Sequence, residues 1–170
     1  MRTSKKHYVY LCGNISDNTE TYQWRIDFRK EVEKRRTLNK SLCILDPTAN
    51  QFNQDISPLT TITKDKKTFL ERALLKKPGV LPRKDYQMIK ICTILVVNLI
   101  HITENKPLIG SPIECEWARQ LMIPVIAIVD ESKPLCKLYS RHPFMNDCIS
   151  ERVDTVIEAV DMIEDYFVLI

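Results

Sequence analysis

A chain of 170 residues, 44% hydrophobic and 28% charged, can bury one sizeable core and reads as a single domain over 1–170. No run approaches the roughly 18 consecutive apolar residues that cross a bilayer, and Met1–Lys6 has no apolar signal region, so a cytoplasmic protein with no membrane partner is expected. With 25 Lys and Arg interspersed among 22 Asp and Glu, the net charge of +3 forms no basic patch, which argues against a nucleic-acid polymer as partner.

Tyr8–Cys12 is a short aromatic and β-branched run, predicted as a strand that hands over at Gly13-Asn14. Thr21–Glu33 carries Tyr22, Ile26 and Val32 among many charges and reads as a surface helix. Leu42–Leu45 is a second strand, stopped by Asp46-Pro47 because proline has no N–H for the ladder. Thr48–Lys67 is polar with isolated apolar residues, a long loop followed by a helical piece over Phe69–Leu75. A loop of that length in a compact domain is either a lid over a small-molecule pocket or an insertion.

Pro82 suits a first helical turn, and Tyr86, Met88 and Ile89 give the helix it opens an apolar face up to Ile91. Ile94–Ile100 is almost continuously apolar, the pattern of a central parallel strand covered on both faces. After a loop over Thr103–Ile109, Ser111 is expected as N-cap and Pro112 as first helical residue of a helix ending near Gln120. Val125–Val129 is a fourth buried strand, and His142–Phe144 with Cys148–Ser150 allows a short edge strand. Asp154–Tyr166 closes the chain as an amphipathic helix, with Val156, Ile157, Val160, Ile163 and Phe167 on one face. This order implies an α/β fold: a doubly wound parallel sheet of about five strands with right-handed crossovers.

Cys12, Cys43, Cys92, Cys115, Cys136 and Cys148 are widely spaced, with no C-x-x-C pair, and read as reduced thiols. His7, His101 and His142 are too scattered for a zinc signature, so neither a metal nor a cofactor is expected. The three glycines, Gly13, Gly79 and Gly110, compose neither a dinucleotide fingerprint nor a phosphate loop.

In such a sheet the strand ends at Gly13-Asn14, Asp46, Asn98 and Gly110-Ser111 converge on one rim, where open α/β sheets bind ligands. Glu114, in the first turn of its expected helix, would lie near the positive end of the macrodipole and stay ionised. It is then either a nucleophile or a residue that satisfies the helix terminus. Asp85 is either a surface carboxylate or its partner acid; two carboxyls together suit glycosidic cleavage, one attacking the anomeric carbon and one managing the leaving-group proton. Tyr10 either holds the nucleophile's oxygen or fills the core.

The segments Val9–Ser16, Trp24-Arg25, Arg83–Ile89 and Gly110–Ala118, taken in order and over nearly the whole chain, resemble the nucleoside 2-deoxyribosyltransferase superfamily, which includes the deoxynucleoside 5'-monophosphate N-glycosidases. The resemblance implies a flavodoxin-like fold, with Glu114 as the nucleophile that forms a covalent glycosyl-enzyme, Asp85 as the acid assisting departure of the base, and Tyr10 as the residue orienting the nucleophile. It further implies a nucleoside or nucleotide site drawing on Gly13, Asn14, Ser16, Trp24, Asn98, Gly110 and Ser111, in a homo-oligomer whose pockets a neighbouring subunit completes. Thr93 stands where many relatives have Asp, and Leu108 where some transferases have another acid, so cleavage is better supported than transfer. The sugar passes to another base or to water; the alternatives are a 5'-monophosphate N-glycosidase and a non-catalytic nucleotide-binding module.

Overall fold

The short apolar runs pair side by side into one all-parallel sheet. The computed structural model describes residues 7–14, 20–49, 80–102 and 108–168. Among these, β1 (His7–Gly13), β2 (Leu42–Leu45), β3 (Ile94–Asn98), β4 (Val125–Ile128) and β5 (Glu151–Val153) lie in the order β2-β1-β3-β4-β5. β3 is buried at every position because it occupies the middle, pairing Gly13 with Asn98 on one side and Asn98 with Ile128 on the other. Parallel neighbours need helical crossovers, and these cover both faces. The result is the doubly wound, flavodoxin-like arrangement.

The period-two alternation of each strand sorts the core into two halves. Val9, Leu11, Ile94, Val96, Ile126 and Ile128 face α1 (Glu20–Lys34), α2 (Arg36–Ser41) and α7 (Val156–Val168), whose Phe28, Leu38 and Ile163 are buried against them. Tyr10, Cys12, Leu95, Val97, Val125 and Ala127 face α3 (Val80–Ile91), α4 (Gly110–Gln120), α5 (Pro134–Arg141) and α6 (Pro143–Cys148), which contribute Ile89, Cys115, Cys136 and Met145. Fully burying each large aliphatic side chain is worth about 1.5–3 kcal/mol, so this two-sided burial is the main term holding the sheet.

Several expectations shift. Residues 36–41 form the short helix α2, and a 3-10 turn follows β2 at Pro47–Ala49. β3 ends at Asn98 rather than Ile100, because Asn98 Oδ1 accepts the Ile100 N–H at 2.9 Å and turns the chain. Residues 134–148 are two helices, each with proline in its first turn, and the edge strand comes after them at β5. Helix α4 begins at Gly110; Ile109 takes the cap position without a side-chain cap bond, and Ser111 lies inside the helix. On α7, Ile157 is 52% exposed while Ala159, Val160 and Ile163 carry the buried face. The expected loop beyond Ala49 and helical piece over Phe69–Leu75 lie outside the described residues. All six cysteines are unpaired, with Cys43 half-buried and the others buried. Among the described residues no helix is long and apolar enough to cross a membrane.

Candidate active site

Tyr10 and Cys12 stand two residues apart on β1 and therefore project to the same face, beneath α4. Their side chains meet the carboxylate of Glu114. The Tyr10 hydroxyl donates to Oε1 at 2.8 Å, and the Cys12 thiol to Oε2, also at 2.8 Å. Burial, reinforced by the charge on Glu114, pushes the ionisation of both donors far upward, so each keeps its proton and donates it to the carboxylate.

Glu114 is the fifth residue of α4, past its first turn, so the macrodipole is not what keeps it charged. Burial drives its ionisation upward, and three groups oppose that: the Cys12 thiol, the Tyr10 hydroxyl and the Arg25 guanidinium. Asp85 comes from α3, which is held against α4 by the edge-to-face contact of Tyr86 with Trp117 at 5.2 Å. Its carboxyl is pushed up to about 7, first by burial and then by the neighbouring Glu114 charge, with only Lys84 pulling the other way. Asp85 Oδ1 is buried without a hydrogen-bond partner among the described residues. Two close carboxyls cannot both ionise cheaply. Glu114, which accepts two hydrogen bonds, is the better-stabilised carboxylate, and Asp85, with only Lys84 favouring its charge, is the readier of the two to hold a proton.

Behind this pair, the end of β1 is tied down by Arg25. It is 2% exposed, donates to the carbonyls of Gly13 at 3.2 Å and Thr21 at 3.1 Å, and lies 3.5 Å from Asp46. Asp46 also accepts from Arg29 at 2.9 Å and from the Thr48 N–H at 2.8 Å, so this rim carboxylate serves as an anchor. Trp24 stacks under Arg25 at 4.7 Å and is 4% exposed on the opposite face of the sheet from Glu114. A Cβ on Gly13 would come within 3.1 Å of the Trp24 ring, which explains the glycine there.

The structure thus brings Glu114, Asp85 and Tyr10 together, while Gly13 and Asn14 follow Cys12 at the end of the strand, with Gly13 against Trp24 and Arg25. Asn14 is fixed by donating to the His101 carbonyl at 3.2 Å. Ser111 is buried in α4, its carbonyl 4.0 Å from the Cys12 sulfur. Gly110 is exposed, and a Cβ there would meet open space. Trp24 and Asn98 instead line a separate shallow cavity of about 310 Å³ on the other face, with Gln23, Asp27 and Asp154. Ser16 lies outside the described residues. Glu116 points away from the site, bound by Arg119 at 2.8 Å and Gln120 at 2.8 Å, which hold its ionisation down to about 2.

Thr93 and Leu108 are also placed. Thr93 precedes β3, at the end of that strand remote from Asn98, where its hydroxyl accepts the Tyr8 N–H at 3.1 Å and donates to the Tyr8 carbonyl at 3.0 Å. It serves the sheet, and an acid lost at that position leaves the carboxyl pair untouched. Leu108 is buried in the same apolar cluster as Tyr10 and Cys12. The residues that sequence reasoning missed are Cys12 and Arg25; the spacing of Cys12 from Tyr10 was the available signal for the first.

No family model matches the chain, and no curated protein does. Among solved structures, a conserved protein from Enterococcus faecalis V583 is similar, with a TM-score of 0.63 over 95% of this chain and 99% of that one, at 13% identity. Likeness at that identity speaks to the fold alone.

Proposed function

We propose that the chain cleaves the N-glycosidic bond of a nucleoside or nucleotide through a covalent glycosyl-enzyme on Glu114. The observation that carries this reading is a Glu114 carboxylate gripped on both oxygens beside an Asp85 whose buried Oδ1 has no hydrogen-bond partner among the described residues and whose carboxyl is pushed up to about 7. A Glu114 oxygen attacks the anomeric carbon as the bond to the base breaks, and the departing electron pair goes to the base nitrogen, which takes the proton from Asp85. Asp85, now ionised, accepts a proton from water or an acceptor base, whose oxygen or nitrogen displaces Glu114 from the sugar. Hydrolysis and transfer differ only in this second nucleophile.

Incubating the protein with nucleosides and 5'-monophosphates, with and without an acceptor base, and following free base by chromatography tests the reading. The expected result is base release or exchange by the wild type and a loss of several orders of magnitude in Glu114→Ala, which should still bind substrate. Equal rates in the two proteins would overturn the nucleophile assignment. No product from any substrate would favour a nucleotide-binding module.

Self-association is part of the same reading. Support comes from an apolar groove of about 950 Å³ outside α4, α5 and α6, lined by Ile113, Trp117, Leu138, Tyr139 and Phe144. Ile113, Leu138 and Phe144 are largely exposed in the single chain, and a second copy of the chain is the proposed occupant.

A further inference from the structure

We propose that Cys12 is a positioning residue that presents Oε2 of Glu114 as the attacking oxygen. This rests on the glycosidic reading above and extends it to a residue that the motifs left unassigned. The Cys12 side chain is fully buried, and its sulfur lies 2.8 Å from Oε2, while the Tyr10 hydroxyl lies 2.8 Å from Oε1. The two carboxylate oxygens are therefore not equivalent. A phenolic O–H is a strong donor and draws electron density from Oε1, whereas a thiol S–H is a weak one. A carboxylate oxygen carries two acceptor sites, so Oε2 can receive the thiol and keep a lone pair free. The thiol stops rotation about the carboxylate without quieting the oxygen it holds.

In the step itself, the free lone pair of Oε2 forms the bond to the anomeric carbon, and the glycosidic electron pair leaves with the base nitrogen. The proton on sulfur stays there throughout. Among the described residues, the charged and titratable groups facing Glu114 are Tyr10 and Cys12 from β1, Asp85 from α3 and Arg25 from α1, with Cys115 of α4 beside the Cys12 thiol. Removing the thiol takes away one of the three influences that favour the carboxylate, so Glu114 would ionise at higher pH.

Steady-state pH profiles of Cys12→Ala and Cys12→Ser test this. In Cys12→Ala, kcat/KM should fall about tenfold, the size of a lost hydrogen bond to a charged group, and the acidic limb should move to higher pH. In Cys12→Ser the stronger hydroxyl donor should return that limb to the wild-type position or below it, while kcat stays reduced. An unchanged profile in Cys12→Ala, or Ser and Ala variants that move together, would overturn the inference. A readout independent of turnover is the infrared S–H stretch of Cys12, assigned by its loss in Cys12→Ser. It should move toward the free-thiol position in Glu114→Gln, and a band that does not move overturns the inference outright. A band that moves in a protein inactive on every substrate keeps the thiol–carboxylate bond and removes the glycosidic reading, and the attacking-oxygen assignment with it.

Discussion

On the proposed mechanism, Asp85 is the residue on which activity and stability pull in opposite directions. Its carboxyl holds a proton up to about pH 7 in the folded chain and up to about pH 4 in an unfolded one. A folded-state value raised in this way means that Asp85 costs nothing below the unfolded value, and that its cost grows with pH until it is complete above 7. Asp85→Asn should therefore gain stability over the wild type as pH rises from 4 to 8, read as a urea midpoint that separates progressively. The same substitution should lower kcat about 10²–10⁴-fold and remove the fall in rate above neutral pH that deprotonation of Asp85 imposes. A stability difference independent of pH would show that Asp85 is not the proton holder. Tyr10, Asp85 and Glu114 were legible as candidates because their residue types suit the chemistry and lie in the resembling segments, although Asp85 and Glu114 stand past the first turns of their helices and Tyr10 in the middle of its strand. Cys12 was not, since a cysteine inside an apolar run looks like core, which it also is.

Helix α4 carries Glu114 and ends in a turn whose conformation opposes its residue. The Met122 N–H bonds the Arg119 carbonyl at 3.0 Å and the Ile123 N–H bonds the Ala118 carbonyl at 2.9 Å, which is the Schellman pattern. The position this motif prefers to give to glycine is held by Met122 with φ 55° and an 89% exposed side chain. Met122→Gly should stabilise the protein by about 1 kcal/mol, since it relieves the left-handed backbone and removes no packing. Thermal unfolding measures this, and a lowered melting temperature would contradict it. Elements with long periodic or continuous apolar patterns, such as β3 and α7, were visible in the sequence. Helices α5 and α6 were not, because six to eight residues give too few apolar repeats; the prolines at 134 and 143 carried the start signal already used at Pro82. The start of α4 was misread for another reason. Ser111 has the chemistry of a cap, but it is drawn into the helix and buried against the sheet.

At the scale of the whole molecule, the two halves of the core do different work. One half, under α1, α2 and α7, holds Arg25, Trp24 and Asp46 around the end of β1; the other holds the carboxyl pair. The proposed second copy of the chain would cover the apolar groove outside that second half. Light scattering at micromolar concentration should give at least a dimer, and Phe144→Glu, in a side chain 81% exposed in the single chain, should shift the mass toward the monomer. A monomeric mass with full activity would remove that proposal. The fold class was readable because parallel strands buried on both faces leave unbroken apolar runs, whereas the groove depends on how short helices pack, which no local pattern records. On β1, Tyr10 is paired on both edges, to Leu45 of β2 and Leu95 of β3, and Cys12 is paired to Val97 of β3. Hydrogen exchange should therefore place these two backbone amides among the slowest in the chain, opening with the sheet and not by local fraying, so that the strand presenting both donors to Glu114 is held as firmly as the fold itself.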